Sequence, residues 1–276
     1  EIMPSLVGSE MCIRDSFYVR EGYPIGAMFG YKTDGLYQCR DFSDFYDANG
    51  TFISDKAQQK AIYDNIKGNN GQFTLREGVV SRGNAVEPGY LKLKKQGEGD
   101  VITSDDKVYL GSNEPKFFGG FTNRFSYKNV ELSIFLQFSY GNKLFNTNHA
   151  MLRGYNNYNI EQQYYDNMWT IDRQNAPLHI YSDNIGRQTA TELQAEDASY
   201  LKIKEISFSY RLPKKAMRHL GVKGAKVFVS GINLFTFTKY SWYDPEFSST
   251  NPLTGGLDKY SYPTARTFNA GFSIDL

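Results

Sequence analysis

The sequence holds little that would let it act at a distance or through covalent chemistry. Its 31 basic side chains nearly cancel its 30 acidic ones, and the formal charge is +1. No global field therefore draws the chain to nucleic acid. Nowhere is there a run of about 18 apolar residues, which excludes a transmembrane helix. The two cysteines, Cys12 and Cys39, make no disulfide framework and stand outside any Cys-x-x-Cys spacing. The three histidines, His149, His179 and His219, are too scattered to read as a metal site. Nucleophile-elbow, P-loop and dinucleotide fingerprints are missing. Asp166, Asp172, Glu192, Glu196 and Asp197 crowd one long loop, but nothing in the sequence fixes the separation that a glycosidase pair needs. No catalytic residue, metal or cofactor is predicted, and the chain does not read as an enzyme.

What is abundant is aromatic. Phe and Tyr number 20 and 21, Trp only 2, and aromatics make up 16% of a chain whose mean hydropathy is negative. Outer-membrane barrels have this composition, because every second residue touches lipid and aromatic girdles mark both interfaces. A secreted β-sandwich with tyrosine-rich loops fits the composition equally well.

Alternation favours the barrel. In Arg266 to Leu276, Arg266, Phe268, Ala270, Phe272, Ile274 and Leu276 share a face opposite Thr267, Asn269, Gly271, Ser273 and Asp275. Leu132 to Tyr140 sets Leu132, Ile134, Leu136, Phe138 and Tyr140 against Ser133, Phe135, Gln137 and Ser139, and Phe117 to Tyr127 repeats the pattern. A period of two marks strands between two environments, and a length of about ten residues is the reach that crosses a bilayer at a tilt. Two strands break the pattern. In Tyr200 to Leu212, Leu201 and Ile203 are apolar in one phase and Ile206, Phe208, Tyr210 and Leu212 in the other. Either a bulge lies near Lys204 and Glu205, or only the lower half crosses lipid. In Ala225 to Thr238 both phases are apolar, which calls for a packing partner on the lumen side, such as a plug domain.

Connections alternate in length. Gly141 to Ser199 and Lys239 to Ala265 are long, whereas Lys128 to Val130 is tight and Pro213 to Gly224 compact. Barrels segregate short periplasmic turns from long external loops, and a sandwich has no reason to. The basic, helix-prone stretch from Lys214 to Val222 suits a periplasmic turn. Arg40 to Gly89 reads as a large external loop with a short amphipathic helix at Asp55 to Ile66. Five strong strands fall short of the about eight that close the smallest usual barrel, so the chain is expected to be a carboxy-terminal portion of a larger one. The first sixteen residues have no signal-peptide pattern and resemble translated sequencing adapter. They are read as non-native, with native sequence over residues 17–276 and Cys12 without biological meaning.

Several blocks together resemble the carboxy-terminal region of the SusC/RagA-type TonB-dependent transporters of Bacteroidetes. They are REGYPIGAMFGYKTDGLYQ (Arg20 to Gln38), PGYLKLKKQGEGDVITSDDKVYLGSNEPKFFGGFTNRFSY (Pro88 to Tyr127), ASYLKIKEISFSYRLPKKAMRHLGV (Ala198 to Val222), KVFVSGINLFTFTKYSWYDPE (Lys226 to Glu246) and YPTARTFNAGFSIDL (Tyr262 to Leu276). The resemblance implies an all-β fold, the carboxy-terminal part of a 22-stranded antiparallel transmembrane barrel with long extracellular loops. It implies a plug and earlier strands on the amino-terminal side, energy from TonB–ExbB–ExbD through that part, and a SusD-like surface lipoprotein as partner. The location implied is the cell outer membrane, embedded in its lipid. Nutrient oligosaccharides would be the cargo; a peptide importer, or a passive pore or binding module, is the alternative.

The chain departs from the family in two places. Where members carry a calcium-like D-x-N-G-D-G-x-I loop, this sequence has Lys94, Lys95, Gln96, Gly97, Glu98, Gly99 and Asp100, which lacks the oxygen anions a hard cation needs. The loop is read as a glycine turn without calcium, despite Asp105 and Asp106 nearby. The last residue is Leu276, where the family's final strand carries an aromatic.

Candidate ligand contacts are aromatic. Tyr155, Tyr158, Tyr164, Tyr165 and Trp169 lie among Asn156, Asn157, Asn159, Gln162 and Gln163 in the longest loop, and Trp242 and Tyr243 follow Phe235, Phe237 and Tyr240 in the next. Rings stack on sugar faces while amides bond hydroxyls, so this composition suits a glycan. The alternative is that these tyrosines pack the loop on itself or against the lipoprotein cap.

Overall fold

A computed structural model describes residues 11–14, 16–83, 86–149, 159–181, 190–213, 215, 217, 221–247 and 251–275. The chain is mostly β-sheet with few helices, and it divides into two compact units, Glu1–Gly111 with Asn146–Ala195 and Ser112–Phe145 with Glu196–Leu276.

The first unit has a water-soluble protein's core. Strands β1 (Met11–Arg14), β2 (Phe17–Val19), β3 (Ala27–Gly30) and β6 (Val108–Gly111) form one small sheet, and β4 (Thr33–Leu36) pairs with β5 (Leu91–Leu93). Helix α1 (Lys56–Gly68) is capped by Asp55, whose Oδ1 accepts the amide of Ala57 at 3.2 Å. That cap satisfies one of the donors a helix start leaves open. Gln59 and Tyr63, one turn apart, face inward. Around Tyr63 pack Tyr37, Cys39, Phe42, Phe45, Trp169 and Ile171, all buried. Gly89, at φ +90°, lets the backbone cross the Trp169 ring: a Cβ there would lie 2.5 Å from Cε3. Residues 40–89, expected as a large external loop with one short helix, carry that helix and pack onto a core shared with Tyr37, Cys39, Trp169 and Ile171.

The second unit is a five-stranded antiparallel meander in the order β14-β12-β11-β8-β7, built from β7 (Phe117–Tyr127), β8 (Val130–Tyr140), β11 (Tyr200–Arg211), β12 (Gly224–Thr238) and β14 (Thr267–Asp275). These five match the strands expected from alternation to within two residues at every end. Short segments β9 (Lys143–Asn146), β10 (Ala195–Asp197) and β13 (Leu257–Asp258) form a small separate sheet. The described strands do not close into a barrel within this chain. β7 and β8 join through Lys128 and Asn129 alone, with Lys128 at φ 52°. The stretch from Lys214 to Val222 lies mostly outside the described residues.

The phase switch in β11 is a bulge. Ile203 pairs with Leu136 of β8, but Glu205 pairs with Phe135, so Lys204 is the extra residue. Against β12, Ile203 meets Phe235 and Glu205 meets Ile232, which leaves Asn233, at φ 55°, and Leu234 between them. The bulge returns Leu201 and Ile203 to the same face as Ile206, Phe208 and Tyr210. In β12 the second apolar phase finds partners inside the sheet. The Phe228 ring covers Gly271, its cross-strand neighbour, with Cζ 2.7 Å from where a Cβ would stand. Leu234 similarly fills the space over Gly231.

Candidate functional site

Register through the five strands sorts their side chains onto two faces of opposite character. One face carries Phe117, Phe121 and Phe125 of β7, Leu132 to Phe138 at every second position of β8, Leu201, Ile203, Ile206, Phe208 and Tyr210 of β11, Val227, Val229, Phe235 and Phe237 of β12, and Phe268, Phe272 and Ile274 of β14. Asn123 is the one amide among them and no charge interrupts the set. Most of these apolar residues are exposed, Phe121 at 59%, Phe268 at 75% and Phe272 at 74%, whereas Leu132 to Phe138 of β8 and Ile203 and Ile206 of β11 are half-buried. Aromatics stand at both strand ends, with Phe117, Tyr140 and Phe237 at one and Tyr127 and Tyr210 at the other, and Phe121 and Phe268 join the aliphatics between them. A soluble monomer rarely exposes so large a contiguous apolar patch. Hydrocarbon between two interfacial girdles is the solvent that suits it.

The opposite face is mostly polar, with Phe118, Phe135, Phe228 and Ile232 the large apolar residues among its hydroxyls, amides and charges. Thr122, Arg124, Ser126, Glu131, Ser133, Gln137, Ser207, Ser209, Lys226, Ser230, Asn269 and Ser273 alternate with the apolar set. At its upper end, where β8 ends and β11 begins, Lys202 is only 2% exposed. Its Nζ donates to Asp244 Oδ1 at 2.5 Å and to Glu246 Oε2 at 2.8 Å. Lys204, the bulge residue, donates to the same Glu246 oxygen at 2.7 Å, and Gln137 Nε2 reaches Glu246 Oε1 at 3.1 Å. Thr264 donates to the other oxygen of Asp244 at 2.5 Å. Burial works against ionisation of Asp244 and Glu246, yet the lysine ammonium groups and the hydrogen bonds hold both below the usual carboxylate range. The Tyr243–Glu246 turn of the long loop is thereby clamped onto the polar face of the wall. No single residue announces this clamp in the sequence; its signature is a pair of lysines in strand phase and a D-P-E turn some 40 residues later.

The ring residues expected to meet ligand are scattered. Tyr155 and Tyr158 lie outside the described residues. Helix α2 (Gln162–Asn167) turns Tyr164 inward, where its hydroxyl donates to the His179 carbonyl at 2.9 Å, and turns Tyr165 outward, 54% exposed. Adjacent helical residues point about 100° apart, so one is core and the other surface. Trp169 is fully buried, with Nε1 donating to Gln38 Oε1 at 3.3 Å. A stacking ligand has no access to Tyr164 or Trp169. In the second unit Tyr240 is buried, its hydroxyl donating to Asp258 at 2.5 Å, and Trp242 packs beside it with Leu144, Ala198 and Phe247. Tyr243 leans on Trp242 at 4.7 Å between centroids and is 66% exposed. Tyr165 and Tyr243 are therefore the two described candidates that present a ring to solvent.

The acidic residues of the longest loop are each engaged in local structure. Asp172 pairs with Lys60 at 2.7 Å, Glu192 accepts from Thr33, Asp166 from Gln162, Glu196 from Ser241 and Asp197 from Ser199. The glycine-rich loop after β5 is built around Asp106. This carboxylate, 1% exposed, accepts the amides of Gln96, Gly97 and Thr103 and the ammonium of Lys95 at 2.8 Å. Burial opposes its charge, but these donors pull it well below the ordinary aspartate range. The loop's order thus comes from an aspartate hub as well as from its glycines.

No family model matches the chain. Curated proteins do, among them the following three. TonB-dependent receptor P3 of Formosa agariphila is 29% identical over 268 residues, covering 95% of this chain and 23% of that protein. TonB-dependent receptor P26 of the same organism is 30% identical over 189 residues, 65% of this chain and 19% of that protein. TonB-dependent receptor SusC of Bacteroides thetaiotaomicron is 25% identical over 255 residues, covering 86% and 22%. Among solved structures, a chain of the RagAB peptide importer in its open-open state superposes with a TM-score of 0.65 at 18% identity, over 96% of this chain and 24% of that one. The RagAB peptide transporter gives 0.63 at 20% identity, with the same coverage. The chain spans about a quarter or less of the length of each. All these relatives are named receptors or transporters, none an enzyme.

Proposed function

Since the chain is homologous over most of its length to the SusC-type TonB-dependent receptors, we propose that it supplies part of the wall and the external loops of an active outer-membrane importer. The observation that carries this reading is the five-stranded sheet with one exposed apolar face and one polar face, the division a transmembrane barrel wall requires. In the whole protein these strands would belong to a 22-stranded antiparallel barrel, at its carboxy-terminal end. The strand ends bearing Phe117, Tyr140 and Thr238, from which the long connections leave, would face outward, and the Lys128–Asn129 turn the periplasm.

Import would draw energy through TonB–ExbB–ExbD acting on the amino-terminal part, and a SusD-like lipoprotein would cover the outer mouth. Nutrient oligosaccharides are the proposed cargo, with Tyr165 and Tyr243 offered to sugar faces. Likeness in fold to a protein described as a peptide importer favours peptides as the second reading. The test is uptake by cells carrying the full-length gene. Outer-membrane fractionation and accumulation of labelled oligosaccharide or peptide that stops when TonB is deleted are expected. Accumulation indifferent to TonB would mean a passive pore, and a full-length product soluble without detergent would overturn the barrel.

A further inference from the structure

We infer that an open groove of about 530 Å³ in the first unit is a subsite for a carboxylate-bearing ligand, with Arg40 as its anion-binding group. Leu36, Phe52 and Pro177 give the groove an apolar floor, and Gln174 and Asn175 border it with amides. Phe52 is fixed from behind by Tyr46, with ring centroids 5.4 Å apart.

The charge at this groove is one-sided. Asp41, the acid adjacent in sequence, is committed elsewhere, with Oδ1 to Lys92 at 3.3 Å and Oδ2 accepting the amide of Gln38 at 2.8 Å. Among the described residues the Arg40 guanidinium is exposed and has neither hydrogen bond nor ion pair. A guanidinium presents a planar fork of donors that matches a carboxylate with two parallel hydrogen bonds. The short 3-10 turn Cys39–Asp41 fixes its base, because Cys39 is fully buried and Asp41 is tied down on both oxygens. Gln174 donates to Gln59 Oε1 at 2.6 Å and to the Ile171 carbonyl at 3.2 Å, leaving its side-chain oxygen for a ligand donor, and Asn175 offers both amide functions. One cation, neutral amides and an apolar floor select a ligand with one acid group, polar flanks and some apolar surface. A uronic-acid oligosaccharide or a peptide with a free carboxyl end both carry that chemistry.

This inference rests on the import reading only for calling the ligand cargo. It is tested by calorimetry on the purified full-length protein with paired probes: a hydrophobic tripeptide and its carboxy-terminal amide, and a uronic-acid tetrasaccharide and its neutral counterpart. At least one acid probe should bind tenfold or more tightly than its neutral partner, and the pair that shows this identifies the source of the carboxylate. Arg40→Gln should erase the preference, while Arg40→Lys, which keeps the charge but loses the fork, should retain part of it. Circular dichroism of both variants should match the parent, since the Arg40 side chain makes no internal hydrogen bond or ion pair and the Tyr46 hydroxyl bonds only its backbone carbonyl. Equal binding of acid and neutral probes, no binding of any probe, or a preference that survives Arg40→Gln overturns the subsite. If the subsite fails while TonB-dependent uptake persists, import stands. If the preference is present but uptake ignores TonB, import fails and the subsite stands.

Discussion

The two units use the same aromatic side chains in opposite ways. In the first, Tyr37, Phe42, Phe45, Tyr63 and Trp169 are buried against one another in a packed core. In the second, Phe117, Phe121, Phe235, Phe237, Phe268 and Phe272 stand on the outside of a sheet whose other face carries Ser, Thr, Lys and Glu. Composition alone cannot separate these two arrangements. What separates them is the solvent each is made for: water drives rings inward, and hydrocarbon accepts them on the outer face. The contrast also bears on where recognition chemistry can sit: if the apolar face meets lipid as proposed, the polar face and the first unit are what is left for a ligand.

The strongest test of this contrast removes a ring from the buried side. Trp169→Ala should cost about 3–5 kcal/mol, the range for emptying a large aromatic site in a packed core. Hydrogen exchange on the full-length protein should show lost protection over α1 and the Gly89 segment, and strands β7 to β14 should stay protected. Loss of protection in the strands as well would mean that the two units do not depend on separate cores.

Next in size is a pair of neighbours on opposite faces of β7. Phe121→Arg places a charge mid-strand on the apolar face and should cost about 2–4 kcal/mol of barrel stability in a bilayer. Thr122→Arg, one residue along, joins Arg124 on the polar face and should cost under about 1 kcal/mol. Urea unfolding in vesicles, read by the heat-modifiable mobility of the folded barrel, measures both. Equal effects would mean that the faces are not divided between lipid and water.

The sheet was legible in the sequence because its organisation is local. A period of two, a length and a loop pattern identify each strand without knowledge of its neighbours, and even the Lys204 bulge shows as a change of phase. The first unit was not legible in this way. Its core joins Tyr37, Tyr63 and Trp169 across more than a hundred residues of sequence with no period, so the segment read as a large loop of which only the helix was visible. Ring residues were judged by composition, and composition does not tell Tyr164 from Tyr165. One turn of helix decided which faced the core. The contact of the Phe228 ring with Gly271 was hidden for a related reason: the two are distant in sequence and close only through strand pairing.

The smallest effect probes the polar face at its clamp, and pH gives it a sign. Asp244 and Glu246 have pKa values lowered in the folded state, so they bind fewer protons there than in an unfolded chain. Linkage then makes their contribution complete above the unfolded values, about 3.9 for Asp and 4.3 for Glu, and lost as pH falls through the lower folded ones. The loop should stay closed at neutral pH and loosen only in strong acid. Lys202→Met removes the buried ammonium and leaves two carboxylates with burial opposing their charge. The variant should lose about 1–3 kcal/mol of loop stability at neutral pH. Its pH dependence should also reverse, the loop tightening as the pH drops toward 4 and Asp244 takes up a proton. Amide exchange over residues 240–247 from pH 7 to pH 4, corrected for intrinsic rates, reads both effects. An unchanged sign in the variant would show that Lys202 does not hold the turn, and that Lys204 and Thr264 suffice. A lipid-facing arginine such as Phe121→Arg should show no such reversal, since its charge does not titrate in this range, and that difference separates a polar face held by ion pairs from an apolar face held by lipid.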